Sequence, residues 1–152
     1  MLYHDAALSY LHYLFAFILV GALAAELFIL RLPVDANVAK RLSRIDLFYG
    51  VSALGVLVVG FARAIWAANG WEYYAAQPFF WAKIATFVIV GLISIAPTIV
   101  FIRWARAARA DAGYMAPNAE VKRVHRLVMV EVHLLALIPL FAALMARGVG
   151  GP

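Results

Sequence analysis

The sequence predicts an all-α membrane protein: one domain over residues 1–152, built as a bundle of four transmembrane helices. Three observations carry that expectation. Hydrophobic residues make up 66% of the chain and charged residues 14%, against about 45–50% and about 25% in soluble domains. Four apolar runs, near 7–30, 46–68, 79–102 and 127–146, each reach the roughly 20 residues that a membrane-crossing helix needs. Ten of the thirteen Lys and Arg residues lie in alternate connections between those runs. A soluble domain and a disordered chain are both excluded, since the mean hydropathy is +0.91 and apolar residues are ample.

The first run has no basic start, is too long for a signal-peptide core and contains Glu26, so it reads as a retained span. It leads into a connection with Arg31, Lys40, Arg41 and Arg44 against Asp35. The second run carries Gly50, Gly55 and Gly60, which permit close helix approach or the close approach of a flat cofactor. The connection at 69–78 has no Lys or Arg and only Glu72 as a charge. Around it gather Trp66, Trp71, Tyr73, Tyr74 and Trp81, rings suited to a water–lipid interface or to the face of a flat ligand. The third and fourth runs contain Pro97 and Pro139, which free the carbonyls of Ile93 and Leu135 and favour kinks. Ser94 and Thr98 stand close enough to satisfy such groups. The last connection carries Arg103, Arg106, Arg109, Lys122, Arg123 and Arg126 against Asp111 and Glu120.

The asymmetry of these charges orients the chain. Cytoplasmic connections are enriched in Lys and Arg, which puts the first and third inside and both termini, with the Trp71 loop, in the periplasm. The expected location is the bacterial inner membrane, crossed several times. The net charge of +5 is thereby assigned to topology and anionic lipid, with the bilayer and not nucleic acid as the partner.

Ionisable groups inside spans are costly and mark structure-bearing or functional positions. Counting about 1.5 Å per residue places His12, Arg63 and Lys83 on three helices within about two turns of the outer surface. Glu26, Asp46 and Glu131 fall near the inner surface, with Arg31, Arg44, His125 and Arg126 at its border. His12 and Glu26 differ by about 40° around the first helix and share a face. Glu131 and His133 point about 160° apart, so only one faces the core, and their divergence favours a homodimer. Two readings of the inner cluster stand. In one, Glu26, Asp46 and Glu131 form a buried ionic network with Arg31, Arg44 and Arg126. In the other, they form a proton or ion path. The outer cluster reads either as cations snorkelling to the surface or as a site.

Motif chemistry is sparse. The chain has no cysteine, which removes disulfides, thiolate metal sites and covalent haem attachment. Its four histidines are dispersed, so a zinc site is not expected. Haem b in a helical bundle asks for less: an axial imidazole, apolar walls and cations near the propionates. His12 as ligand to the haem iron, with Arg63 and Lys83 beside the propionates, meets that request. His133 is the other membrane histidine considered for the cofactor, although it lies roughly 12 Å from His12 in depth.

Several runs carry resemblances: AAELFILR at 24–31, RIDLFYG at 44–50, GWEYYAAQPFFWAK at 70–83, GLISIAPT at 91–98 and ALIPLFAALMARG at 136–148. With these, nearly the whole chain resembles an uncharacterised bacterial family of four-helix membrane proteins, domain-of-unknown-function family 2214. More remotely, His12 followed by Arg31, and Trp81, Ala82 and Lys83, which resemble a Trp-x-x-Lys pattern with one residue fewer, are similar to HemJ-type protoporphyrinogen oxidases and the related CopD-like membrane fold. That resemblance implies a b-type haem pocket with His12 as ligand. Glu26 and Glu131 inside spans depart from it.

Two hypotheses follow. One is a haem-b-binding redox protein, engaged in electron transfer with a membrane redox partner or in porphyrin chemistry. The other, from a different class, is a proton- or ion-coupled transport or sensing bundle without a cofactor; a plainer third reading is a structural partner in a larger membrane complex.

Overall fold

A computed structural model describes residues 2–66 and 70–149. The helices are α1 (Leu2–Ile29), α2 (Ala36–Trp66), the short α3 (Gly70–Ala75), α4 (Pro78–Ala110), α5 (Asn118–Leu135) and α6 (Leu137–Ala146). α1, α2, α4 and the α5–α6 pair are each long and apolar enough to cross a membrane. The protein is therefore an all-helical, four-span membrane bundle, and no strand occurs among the described residues. The expected end of the second run at Ala68, and the start of the next connection at Asn69, lie outside the described residues.

Three helices overrun their apolar runs at the basic end. α2 starts at Ala36 rather than 46, α4 continues to Ala110 rather than 102, and α5 starts at Asn118 rather than 127. Hydropathy marks the thickness of the bilayer, about 30 Å, whereas helical hydrogen bonding continues into water. The basic residues thus sit largely on helical extensions. The links left between them are short and joined: Ala116 N–H donates to Val34 O at 2.9 Å beside an isolated bridge between Asp35 and Met115. Asp35 caps α2 by accepting the Asn37 and Val38 N–H groups at 2.9 and 2.8 Å, as expected of an aspartate at that position.

The fourth span breaks at Ala136, between α5 and α6. Pro139 has no N–H to give the Leu135 carbonyl, which accounts for the interruption there. Pro97 behaves differently: it is buried and α4 runs through it unbroken. Ser94 Oγ donates to the Gly91 carbonyl at 2.8 Å, and Thr98 donates to a side chain on α2, so neither serves the Ile93 carbonyl.

Close packing joins α1 to α2. A Cβ on Gly55 would lie 2.7 Å from the Phe15 ring, and one on Gly60 would lie 3.2 Å from His12 Cε1. Gly50 has nothing within 4 Å, so the close approach expected there is absent. The densest core lies toward the basic end, where Leu19, Leu23, Leu42, Phe101, Trp104, Val124 and Val128 bury one another. The α3 end has no comparable cluster among the described residues, and that difference positions the sites.

Candidate functional site

His12 on α1, Arg63 on α2 and Lys83 on α4 line one cavity toward the α3 end, with a volume of about 170 Å³ and an opening on one side. Its walls are apolar and aromatic, from Phe61, Tyr74, Phe80, Phe87, Ile138 and Met145. No carboxylate is among the lining residues. All three basic side chains are partly shielded rather than extended into surroundings. Arg63 Cζ lies 5.7 Å from the centre of the Tyr13 ring, and Lys83 Nζ lies 5.6 Å from that of Phe80. Such contacts stabilise a cation by about 0.5–1 kcal/mol or more when desolvated, but they supply no counter-charge. His12 Nδ1 and Arg63 Nε are buried without a hydrogen-bond partner among the described residues. A polar nitrogen buried without a partner is costly, and His12 Nδ1 lies against α2, 3.5 Å from where a Cβ on Gly60 would stand.

Local sequence explains how the three groups meet. Gly60 carries no side chain, so the His12 imidazole packs directly against α2. The loop helix α3, which sequence reasoning treated as a connection, begins at Gly70 with a φ of 71°, a conformation suited to glycine. It folds Tyr74 over Phe80 at 5.9 Å between ring centres. Trp81 Nε1 donates to the Ala75 carbonyl at 2.9 Å and ties α3 to α4. Trp66, Trp71, Tyr73 and Trp81 face outward and suit a membrane interface, whereas Tyr74 and Phe80 line the cavity.

The second concentration of ionisable groups is Glu26 on α1, Asp46 on α2 and Glu131 on α5, which are 1%, 7% and 1% exposed. They face one another across the packed end. Tyr49 Oη donates to Glu131 Oε2 at 3.2 Å, and Thr98 Oγ1 donates to Asp46 Oδ1 at 2.8 Å. Glu26 Oε1 and Glu131 Oε1 have no hydrogen-bond partner among the described residues. The expected ionic network with Arg31, Arg44 and Arg126 does not form. Those arginines are exposed on other helix faces, and Arg103–Glu120 is the one ion pair among the described residues. The reason is angular: Arg44 and Asp46 are neighbours on one helix yet point apart, and the same holds for Arg126 and Glu131. Tyr49 and Thr98 take the place of the cations. Tyr49 follows Asp46 by three residues and shares its face, a signal legible in the sequence.

His133 lies apart from the cavity that His12, Arg63 and Lys83 line. It is exposed on α5, its Nδ1 lies 2.7 Å from the Met129 carbonyl, and it does not line the cavity. Glu131 takes the inward direction and His133 the outward one. His125, Arg31 and Arg126 line a separate groove at the basic end. No grouping of His, Asp and Glu suited to a metal ion occurs among the described residues.

A family model described as a predicted membrane protein (DUF2214) matches residues 4–150. No curated protein and no solved structure matches the chain, and the expected likeness to HemJ-type oxidases is not shown.

Proposed function

The chain belongs to the DUF2214 family of predicted membrane proteins, and from that premise we propose that it binds a flat anionic amphiphile, haem b, in the cavity between α1, α2, α4 and α6, as a redox protein of the bacterial inner membrane. The observation that carries the reading is the lining: one imidazole and two cations, no carboxylate, and apolar walls. The residues present fit haem. The buried, unpartnered His12 and Arg63 nitrogens call for a ligand. Neutral imidazole is a good axial ligand, and Arg63 and Lys83 suit the two propionates. Bound haem would supply a one-electron centre held in the membrane. The chain's own part is to orient the ligand by His12, to neutralise its acid groups by Arg63 and Lys83, and to exclude water with Phe61, Phe80 and Phe87.

An absorption spectrum of protein purified from haem-replete cells, with pyridine haemochrome analysis, tests this. A Soret band that is lost or strongly shifted in His12→Ala supports it. Arg63→Ala should lower haem retention with less change at the iron. A colourless protein that takes up no added haem overturns it.

A second reading, a proton-coupled bundle, is favoured by a separate observation: the unpartnered oxygens of Glu26 and Glu131 in the packed core. Three carboxyls facing one another without a cation hold protons among them more readily than three charges. A protonated-carboxyl infrared band, shifted in heavy water and lost in Glu26→Gln or Glu131→Gln, supports it. Absence of that band overturns it.

A further inference from the structure

The cations missing from the acidic cluster have a place of their own. Arg31 at the end of α1, and Lys122, His125 and Arg126 on α5, line an open groove at the basic end with Leu30 at its floor. Four basic side chains share it and no acidic one does. His125 Nε2 is buried without a hydrogen-bond partner among the described residues. The Arg31 guanidinium lies 5.3 Å from the centre of the Phe28 ring, which restrains it at the mouth. Lys122 and Arg126 are four residues apart and therefore stand on one face of α5.

We propose that this groove binds the phosphate headgroup of an anionic phospholipid. Two features select a lipid over free phosphate. The groove sits where α1 leaves its apolar run, the level of the headgroups in a four-span bundle. Its surroundings toward the bilayer are exposed and apolar: Phe28 on α1, and on α5 Met129 and Val130, 61%, 39% and 45% exposed. Val130 continues the face of Arg126 by one turn, so an acyl chain descending from the headgroup meets hydrocarbon on both helices. Phosphate oxygens accept from the guanidinium groups of Arg31 and Arg126, the Lys122 ammonium and the His125 ring. Basic recesses between transmembrane helices are suited to such headgroups. The inference is independent of any occupant of the cavity at the α3 end.

Native mass spectrometry of the full chain in detergent, titrated with phosphatidylglycerol, phosphatidylcholine or inorganic phosphate, tests it. Phosphatidylglycerol should bind more tightly than phosphatidylcholine. Affinity should fall about fivefold per cation removed, so roughly thirtyfold in Lys122→Ala with Arg126→Ala. Both residues are exposed, so the fold is preserved, and an unchanged melting temperature checks this. Arg41→Ala with Arg44→Ala removes two exposed cations outside the groove and should leave affinity within about twofold of the parent. Equal binding of phosphatidylcholine, equal losses in the two double variants, or displacement of phosphatidylglycerol by millimolar phosphate would each overturn the proposal.

Discussion

At the α3 end of the bundle, His12, Arg63 and Lys83 stand around an open cavity. At the basic end, Glu26, Asp46 and Glu131 are sealed into the tightest packing of the molecule. Both regions gather ionisable groups of one kind without an opposite partner among the described residues, but their surroundings differ. The cations have space beside them and aromatic faces against them, which suits an incoming anion. The carboxyls are enclosed by core side chains, with Tyr49 donating to Glu131 and Thr98 to Asp46. An unsatisfied group in a void asks for a ligand, and one in a filled core asks for a change of charge.

The sharpest way to break this comparison is to cut side chains from each region. Trp104→Ala or Phe101→Ala, both 0% exposed, should cost about 3–5 kcal/mol. Phe87→Ala, on the cavity wall and partly exposed, should cost less than half as much. Unfolding in detergent followed by circular dichroism measures both, and equal losses would remove the distinction between packed and open halves.

Close helix approach offers the next test. Gly55→Ala forces a Cβ to 2.7 Å from the Phe15 ring and should destabilise by about 1–3 kcal/mol. Gly50→Ala meets nothing within 4 Å and should stay within about 0.5 kcal/mol of the parent. Adding Phe15→Ala should recover part of the Gly55→Ala loss if the clash is the cause, read from the same unfolding curves.

Within the acidic cluster, Glu26→Gln should be milder than Glu26→Ala by about 2 kcal/mol, because the amide retains the buried volume. Identical melting of both variants and the parent would place Glu26 outside the packed core. In the cavity, Arg63→Ala and Lys83→Ala remove cations that lack a counter-charge and should change stability by less than about 1 kcal/mol, while altering ligand retention. A large loss of stability in either would make it a structural residue.

The smallest perturbation tests orientation. Glu72 and Asp111 are both exposed and lie at opposite ends. With Glu72→Cys and Asp111→Cys, an impermeant thiol reagent on intact cells should label position 72 and spare 111. The reverse pattern would invert the expected topology.

Much of this was legible before any coordinates. The number of spans, their order and the convergence of His12, Arg63 and Lys83 at one end follow from hydropathy and from counting turns. The inward face shared by His12 and Glu26 follows from the helical repeat. The partners of the carboxylates did not follow. Depth alone suggested Arg31, Arg44 and Arg126, yet these project from faces turned away from the core. Helix α3 was equally hidden, since six residues of mixed aromatic and polar character carry no decisive period.

The sequence by itself determined that this chain crosses a membrane four times, because the cost of exposing backbone and polar groups to hydrocarbon leaves helices as the way to accommodate such apolar runs. It also determined which ends of the helices carry cations. Only the tertiary structure decided which ionisable groups face one another. That choice depends on the rotation of each helix about its own axis, and rotation is set by contacts such as Gly55 on Phe15 and Gly60 on His12. A single helix, surrounded by lipid nearly as apolar as its own side chains, has little to specify that angle.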